Sequence, residues 1–366
     1  MYFDYTATTP IDLDVLETYN RVQKEYFGNT ESLHKFGRMC DNLFNKAKRE
    51  ISEMLNVDME IIFTHNATEA NNLGIFGVVN GKKGKIITTK IEHPSVFEVF
   101  KQLEKDGYEV VYLDVLENGQ IDLEMFKRQM DKSVLLVSIM WVNNIIGSIQ
   151  PIDKVIEIMK EYPKAKLHVD AVQGMCKIKP NFRFQDVDLF TISAHKFYGP
   201  KGVGCLFYQK NMMLEKHIFG SNVQKGIKPG TIDLAGSVAL CKAIKKYSQS
   251  VIERYNYVKA MFDYLYLELE KIAFVSVNSP KNGSPYILNI SIKGINGETL
   301  IHMFDQKEIY VSTGSACSSK LKKAEKTILA VTQDEERANS SIRISLSHLT
   351  TQDEVSCLLK AIKEIK

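Results

Sequence analysis

The sequence has little excess charge, one tryptophan, nine prolines and no long apolar run. Lysine and arginine number 47 against 44 aspartates and glutamates, a net charge of +3. So small a surplus gives no electrostatic footprint for nucleic acid or a membrane surface. No apolar stretch approaches the length of a bilayer span. The first ten residues carry neither the basic nor the apolar region of a signal peptide, and a cytoplasmic location is expected. Paired cysteines are also lacking. The six thiols, Cys40, Cys176, Cys205, Cys241, Cys317 and Cys357, form no C-x-x-C pair and neighbour no histidine suited to ligation. A zinc site or a disulfide framework is therefore not expected, and the thiols read as reduced. Disordered, collagenous and coiled-coil compositions are excluded by 44% hydrophobic and 25% charged residues.

What is present is an α/β alternation. At about 150 residues per domain, 366 residues make two to three domains, or a large and a small one. Short apolar runs at Ile86–Thr89, Val110–Val115, Val134–Val142, Lys166–Asp170, Leu189–Ser193 and Val203–Tyr208 predict strands, most of them without a wet face. Helical spacing covers Lys35–Leu55, Glu69–Val79, Pro94–Lys105 and Pro151–Lys160. Together these predict a mostly parallel sheet flanked by helices. A long helical pattern from about Ser237 to Ile272 follows. Strands at Tyr286–Ile292, Ile309–Ser312 and Ile342–Leu346 and a helix from Gln352 then suggest a smaller α+β domain.

Ligands of such sheets bind beyond the carboxyl ends of the strands. Three segments stand there. Leu167–Gln173 ends a buried run in Asp170, either a helix cap or a carboxylate kept for a buried cation. Phe190–Gly202 ends another in Ser193, His195 and Lys196. A solvated loop lysine is the plain alternative there, whereas a desolvated one is a nucleophile and Schiff-base former. Ile62–Asn72 leads through Ala67 and Thr68 into a helix start, which is a capped terminus or an anion site. A lysine for a Schiff base, a carboxylate for a pyridinium nitrogen and a helix N-terminus for a phosphate together match the needs of pyridoxal 5'-phosphate.

One thiol differs from the rest. Cys317 lies in Val311–Lys320 among small polar residues, with Gly314 before it and Lys320, Lys322 and Lys323 after it. Nearby lysines favour the thiolate. The other five cysteines fall in strand or helix patterns and read as buried fillers.

These segments resemble the cysteine desulfurases, NifS/IscS-like enzymes of the first group, within the class V aminotransferases. The resemblance runs through Asp4–Pro10, Gly28–His34, Ala67-Thr68-Glu69, Ile91–Ser95, Val142–Asn144, His168–Gln173, Ser193–Lys196, Val311–Ser319 and Ser341–Ser345. The Ser-Ala-His-Lys segment and the Gly-Ser-Ala-Cys-Ser-Ser loop, in this order, carry most of its specificity.

The resemblance implies a PLP-dependent transferase of fold type I. Its large PLP-binding domain would span 12–245. Its small domain, 1–11 with 246–366, would carry the cysteine loop. By the same resemblance, Lys196 would bind the cofactor, Asp170 would pair with its ring nitrogen, and His93 would stack on the ring and move protons. Gln173 would donate to the phenolic oxygen. Ala67, Thr68, Ser193 and His195 would hold the phosphate, with Thr231 of a second subunit completing the cup of a homodimer. Asn144 and Arg343 would orient L-cysteine. Cys317 would take its sulfur as a persulfide and pass it to an acceptor protein, a cluster scaffold or a tRNA-thiolation enzyme, releasing L-alanine. Iron–sulfur cluster assembly is thus one implied destination. No metal, direct nucleic-acid contact or membrane is implied.

Some positions depart from the usual pattern. His65-Asn66 precedes the phosphate turn, where Asn66 would tolerate a left-handed backbone. Trp141 and Ile145 stand where a histidine and a glutamate are common. A selenocysteine lyase-type relative, or a non-catalytic paralogue acting as an interaction protein, are the alternative readings.

Overall fold

A computed structural model describes residues 1–314 and 325–365. Cys317 lies outside the described residues. Helices α1 (Leu13–Glu25) and α2 (Lys35–Leu55) precede β1 (Met59–Thr64). There follow α3 (Ala67–Val79), β2 (Lys85–Thr89), α4 (Pro94–Lys105), β3 (Glu109–Leu113), α5 (Leu123–Gln129), β4 (Val134–Met140), α6 (Ile152–Met159), β5 (Lys166–Asp170), β6 (Leu189–Ser193) and β7 (Gly204–Gln209). The chain continues with α7 (Leu234–Gln249), α8 (Val251–Glu270), β8 (Val275–Val277), β9 (Ile287–Ile292), α9 (Gly297–Asp305), α10 (Lys326–Thr332), α11 (Glu335–Asn339), β10 (Ser341–Ser345) and α12 (Gln352–Lys363).

A seven-stranded sheet has the order β1-β7-β6-β5-β4-β2-β3. Strands β6, β5, β4, β2 and β3 pair in parallel, while β7 runs antiparallel to both β6 and β1. This is the mixed, mostly parallel sheet expected. A second sheet, β10-β9-β8, is antiparallel.

Alternation along each strand sends successive side chains to opposite faces. Ile62, Ile86, Leu136, Leu189 and Leu206 pack against α3 and α4 through Leu73, Val78, Val96 and Phe100. Ile61, Phe63, Ile87, Val137, Leu167, Val169 and Phe207 face the other way, into a core that α2 and α7 share through Phe44, Ile51, Leu240 and Ile244. That second core runs on into Leu288, Ile290, Ile342 and Ile344 of the smaller sheet. Burial on both faces explains why the strands read as unbroken apolar runs.

The structure differs from expectation in several places. The 237–272 pattern is two helices, α7 and α8, which meet at Ser250. Ile309–Ser312 forms isolated bridges at Tyr310 and Ser312 rather than a strand. Helix α1 and strand β1 were not expected. Asn66 is extended (φ −168), and its side chain caps α3 by accepting from the amide of Glu69. Cys40, Cys176, Cys205 and Cys241 are buried, but Cys357 is exposed on α12. It lies on the water-facing side of that helix, whose buried stripe is Val355, Leu358, Leu359, Ala361 and Ile362. Among the described residues no helix is long and apolar enough to cross a membrane.

Trp141 follows β4, is fully buried, and meets Phe182 and Phe184 edge-on. Gly174 lies against its indole so closely that a β-carbon there would overlap the ring. Gly174→Ala should therefore cost about 1–3 kcal/mol by overpacking. Urea unfolding followed by the fluorescence of the single tryptophan measures this, and an unchanged midpoint would contradict the packing argument.

Candidate active site

The carboxyl ends of β1, β2, β4, β5 and β6 converge on one cavity of about 250 Å³. Its lining includes Ala67 and Thr68 at the start of α3, His93 before α4, Asn144 after β4, Asp170 and Gln173 at and after β5, and Ser193, His195 and Lys196 at the end of β6. Arg343 reaches it from β10, and Thr6 and Ala7 close one side. The structure thus gathers the site residues expected from the sequence, with two exceptions. Thr231 is exposed in the loop before α7 and does not line the cavity. Cys317 lies outside the described residues.

Lys196 ends a short 3₁₀ turn after β6, and its Nζ donates to the carbonyls of Thr6 and Ala7, both at 2.8 Å. His195 faces the same N-terminal segment, with Nδ1 3.1 Å from Thr8 Oγ1. Burial, then the charges of Lys196, Lys177 and Lys201, push its pKa down to about 3, so the ring is neutral.

Asp170 is held from two sides. Its Oδ2 accepts from Asn71 Nδ2 at 3.0 Å and its Oδ1 from the amide of Val172 at 3.0 Å. Asn71 is itself fixed. It donates to Ser95 Oγ at 2.8 Å and accepts from Thr191 Oγ1 at 2.6 Å. Ser95 also lies 2.8 Å from His93 Nδ1, which accepts the Ser95 amide as the cap of α4. That bond places the proton of a neutral His93 on Nε2. Burial lowers the pKa of His93, with the Asp170 carboxylate opposing.

Arg343 is buried, at 3% exposure. Its Nη1 donates to the carbonyl of Asn144 at 3.0 Å and its Nη2 to Asp4 Oδ1 at 2.8 Å. Its Nε is buried and, among the described residues, has no hydrogen-bond partner. Asn144 is presented by a turn in which Asn143 Oδ1 accepts from the amides of Ile145 and Ile146, both at 2.9 Å. Ile145 packs into a small apolar cluster with Ile328, Val331 and Ala338, so its apolar side chain serves packing. Trp141 does not line the cavity, whereas Met140 and Val142 do. Sequence reasoning missed Asn71, Ser95, Asp4, Thr6 and Ala7 as supports. All five fall within segments that the sequence singled out, Asp4–Pro10, Ile62–Asn72 and Ile91–Ser95, but nothing in those segments marked these residues as supports.

Pyridoxal phosphate fits this donor set. Among the described residues Ser193 Oγ is buried without a partner, and it lines the cavity together with the first turn of α3, whose amides suit an anion. Gly204 allows the chain at Asn66 and Ala67 to pass close, since a β-carbon there would stand 2.9 Å from the carbonyl carbon of Asn66. A carboxylate and a lysine stand in the same cavity.

The comparisons agree with the geometry. The family described as "Aminotransferase class-V" matches residues 1–358. Cysteine desulfurase IscS of Dictyoglomus turgidum is 38% identical over 371 residues, covering 100% of this chain and 94% of the relative. A solved structure titled "NIFS-LIKE PROTEIN" superposes with a TM-score of 0.93 at 34% identity, covering 100% of this chain and 98% of that one. Another, "SspA in complex with cysteine", gives a TM-score of 0.82 at 29% identity over 96% of this chain and 99% of that one.

The site also constrains stability. His168 on β5 is fully buried, with Nδ1 2.8 Å from Ser138 Oγ, and burial takes its pKa from 6.5 to about 4. Its folded pKa lies below its unfolded one, so the unfolded chain binds the extra proton. Its contribution is complete above pH 6.5 and is lost as the pH falls toward 4, by roughly 3 kcal/mol. Urea midpoints at pH 7 and pH 4.5 should show that decline, and His168→Gln should flatten it. An equal decline in both proteins would remove His168 as the cause.

The chain belongs to the class-V aminotransferase family, and within it to the cysteine desulfurases.

Proposed function

We propose that this protein converts L-cysteine to L-alanine with pyridoxal 5'-phosphate, transferring the sulfur to Cys317 as a persulfide. The observation that carries this reading is the single cavity in which Lys196, Asp170, His93, Asn144 and Arg343 meet.

The cofactor supplies an electron sink that makes the substrate's C–S bond labile. Ala67, Thr68, Ser193 and His195 would hold its phosphate, Asp170 its ring nitrogen and Gln173 its phenolic oxygen. Lys196 would hold the cofactor, and its Nζ would accept and return a proton beside the substrate. Arg343 grips the substrate carboxylate. Its Nε is unspent among the described residues, while Asp4 and the Asn144 carbonyl fix the rest of the guanidinium fork. His93, neutral and with its proton on Nε2, exchanges a proton at the cavity face. The Cys317 thiolate attacks the substrate sulfur. The new S–S bond forms as the C–S bond breaks, and the carbon keeps the electron pair until protonation gives alanine.

Residues 12–245 would form the cofactor domain, and 1–11 with 246–366 the domain carrying Cys317. A cytoplasmic homodimer, with Thr231 completing the partner's phosphate site, fits the same reading. The persulfide would pass to an acceptor protein, either an iron–sulfur scaffold or a tRNA-thiolation enzyme.

Incubation with L-cysteine should yield alanine and a mass increase of one sulfur on the peptide containing Cys317. Lys196→Ala should abolish both, and Cys317→Ser should abolish the persulfide. Persulfide on another cysteine, or no alanine from a cofactor-loaded protein, would overturn the reading.

A further inference from the structure

A buried lysine beside the site has no part in the mechanism above. Lys177 lies four residues after Gln173, on the coil of turns that leaves β5. Amides of Gly174 and Met175 donate to the carbonyl of Ala171, and those of Lys177 and Ile178 to that of Gly174. A left-handed step at Cys176 (φ 59) precedes Lys177, and Arg254 Nη2 holds the Cys176 carbonyl at 3.1 Å. Lys177 is 6% exposed and, among the described residues, forms no ion pair with a carboxylate. Its Nζ donates to Gln173 Oε1 at 2.9 Å and stands 6.0 Å from the centre of the Tyr286 ring. A buried ammonium without an acid is costly. The hydrogen bond to Gln173 is the contact with a clear consequence.

That consequence follows from donor and acceptor counting. A primary amide can turn end for end with little change of shape, exchanging its oxygen and its NH₂. Here the two neighbours permit one orientation. The Lys177 ammonium only donates, so it requires the oxygen. The Thr6 carbonyl only accepts, and it takes Gln173 Nε2 at 3.1 Å. The amide nitrogen has two hydrogens, and Thr6 uses one. The second is left for the cavity, which Gln173 lines. Thr6 O is also an acceptor of Lys196 Nζ. Lys177, Gln173, Thr6 and Lys196 therefore form one chain of hydrogen bonds ending at the cofactor-binding amine.

We propose that Lys177 is a positioning residue that locks the Gln173 amide with its NH₂ end toward the cavity, so that it donates to an anionic oxygen of the cofactor. This rests on the proposed function, because it assigns the oxygen that Gln173 meets. Burial, and the charges of Lys196 and Arg343, lower the pKa of Lys177 to about 7, with the Cys176 thiol opposing. Lys177 in turn acts on His195. These are the charged and titratable groups that act on Lys177 or feel its charge. The lock is strict for the ammonium, which only donates; a neutral Lys177 amine could donate or accept, and the Thr6 carbonyl then remains to select the NH₂ end.

The test is a pH titration of the visible absorption band of protein reconstituted with pyridoxal 5'-phosphate. Lys177→Met keeps volume but removes the donor. The amide then keeps only its tie to the Thr6 carbonyl, its oxygen end is released, the donor to the anionic oxygen is no longer held in place, and the band's apparent pKa should rise by about one pH unit. Gln173→Leu should shift it in the same direction. The double variant should shift no further than the larger single one, because Lys177 acts through Gln173. Lys177→Arg should restore most of the wild-type value. A lower melting temperature with an unshifted band would reduce Lys177 to a packing role, and additive shifts would show that it acts without Gln173. Either result overturns the proposal. If the methionine variant does not fold, Lys177→Gln is titrated against the same two outcomes. Wild-type protein that forms no visible band overturns the proposed function itself, and this inference with it. A wild-type band with no effect of Lys177 overturns this inference alone.

Discussion

The arrangement depends on the backbone of the first ten residues more than on any single side chain of the cavity. Lys196 Nζ is held by the carbonyls of Thr6 and Ala7, and Thr6 O also takes the amide of Gln173. The Thr9 amide and hydroxyl both donate to the carbonyl of His195, and Thr9 Oγ1 accepts from the Tyr198 amide. The same segment bridges to Tyr310 and Ser345, and Asp4 pairs with Arg343. A strap of short polar residues thus joins the end of β6 to the smaller sheet. Two backbone carbonyls accept from the Lys196 ammonium, while Asp170 is held by the Asn71 side chain and the Val172 amide.

That dependence explains what could be read from the sequence. Helix α2 is legible from its apolar spacing, and it ends at Asn56 in a left-handed cap. The central strands are legible because both their faces are covered. Helix α1 is not, since only Val15 and Val22 of its residues are buried and Leu13 is exposed. The break between α7 and α8 falls at Ser250 within a Ser-Gln-Ser run, with neither glycine nor proline to mark it. Lys196, Asp170 and Arg343 are legible as residue types at strand ends or within recognisable motifs. Thr6 and Ala7 act through backbone carbonyls, which any residue provides, so no side chain announces them. Asn71 meets Asp170 across 99 positions of chain, and that contact exists only once α3 lies across the sheet.

The two apolar departures near the site, Trp141 and Ile145, act on different parts of the packing around it. Met140 and Val142 line the cavity while Trp141, between them, faces away into the aromatic group of Phe182 and Phe184. Alternation at a strand end decides this. A bulky ring at 141 therefore alters the packing behind the sheet and demands Gly174, but it adds no group to the cavity. Ile145 is different, because it belongs to the turn that presents Asn144. The apolar cluster it shares with Ile146, Ile328 and Val331 joins that turn to α10, the helix that follows Cys317 in the chain. An isoleucine there makes the junction apolar, where a carboxylate would need a partner or water. The turn that presents Asn144 and helix α10 are consequently joined by apolar packing, while the Asp4–Arg343 pair supplies a charged tie beside the Asn144 carbonyl.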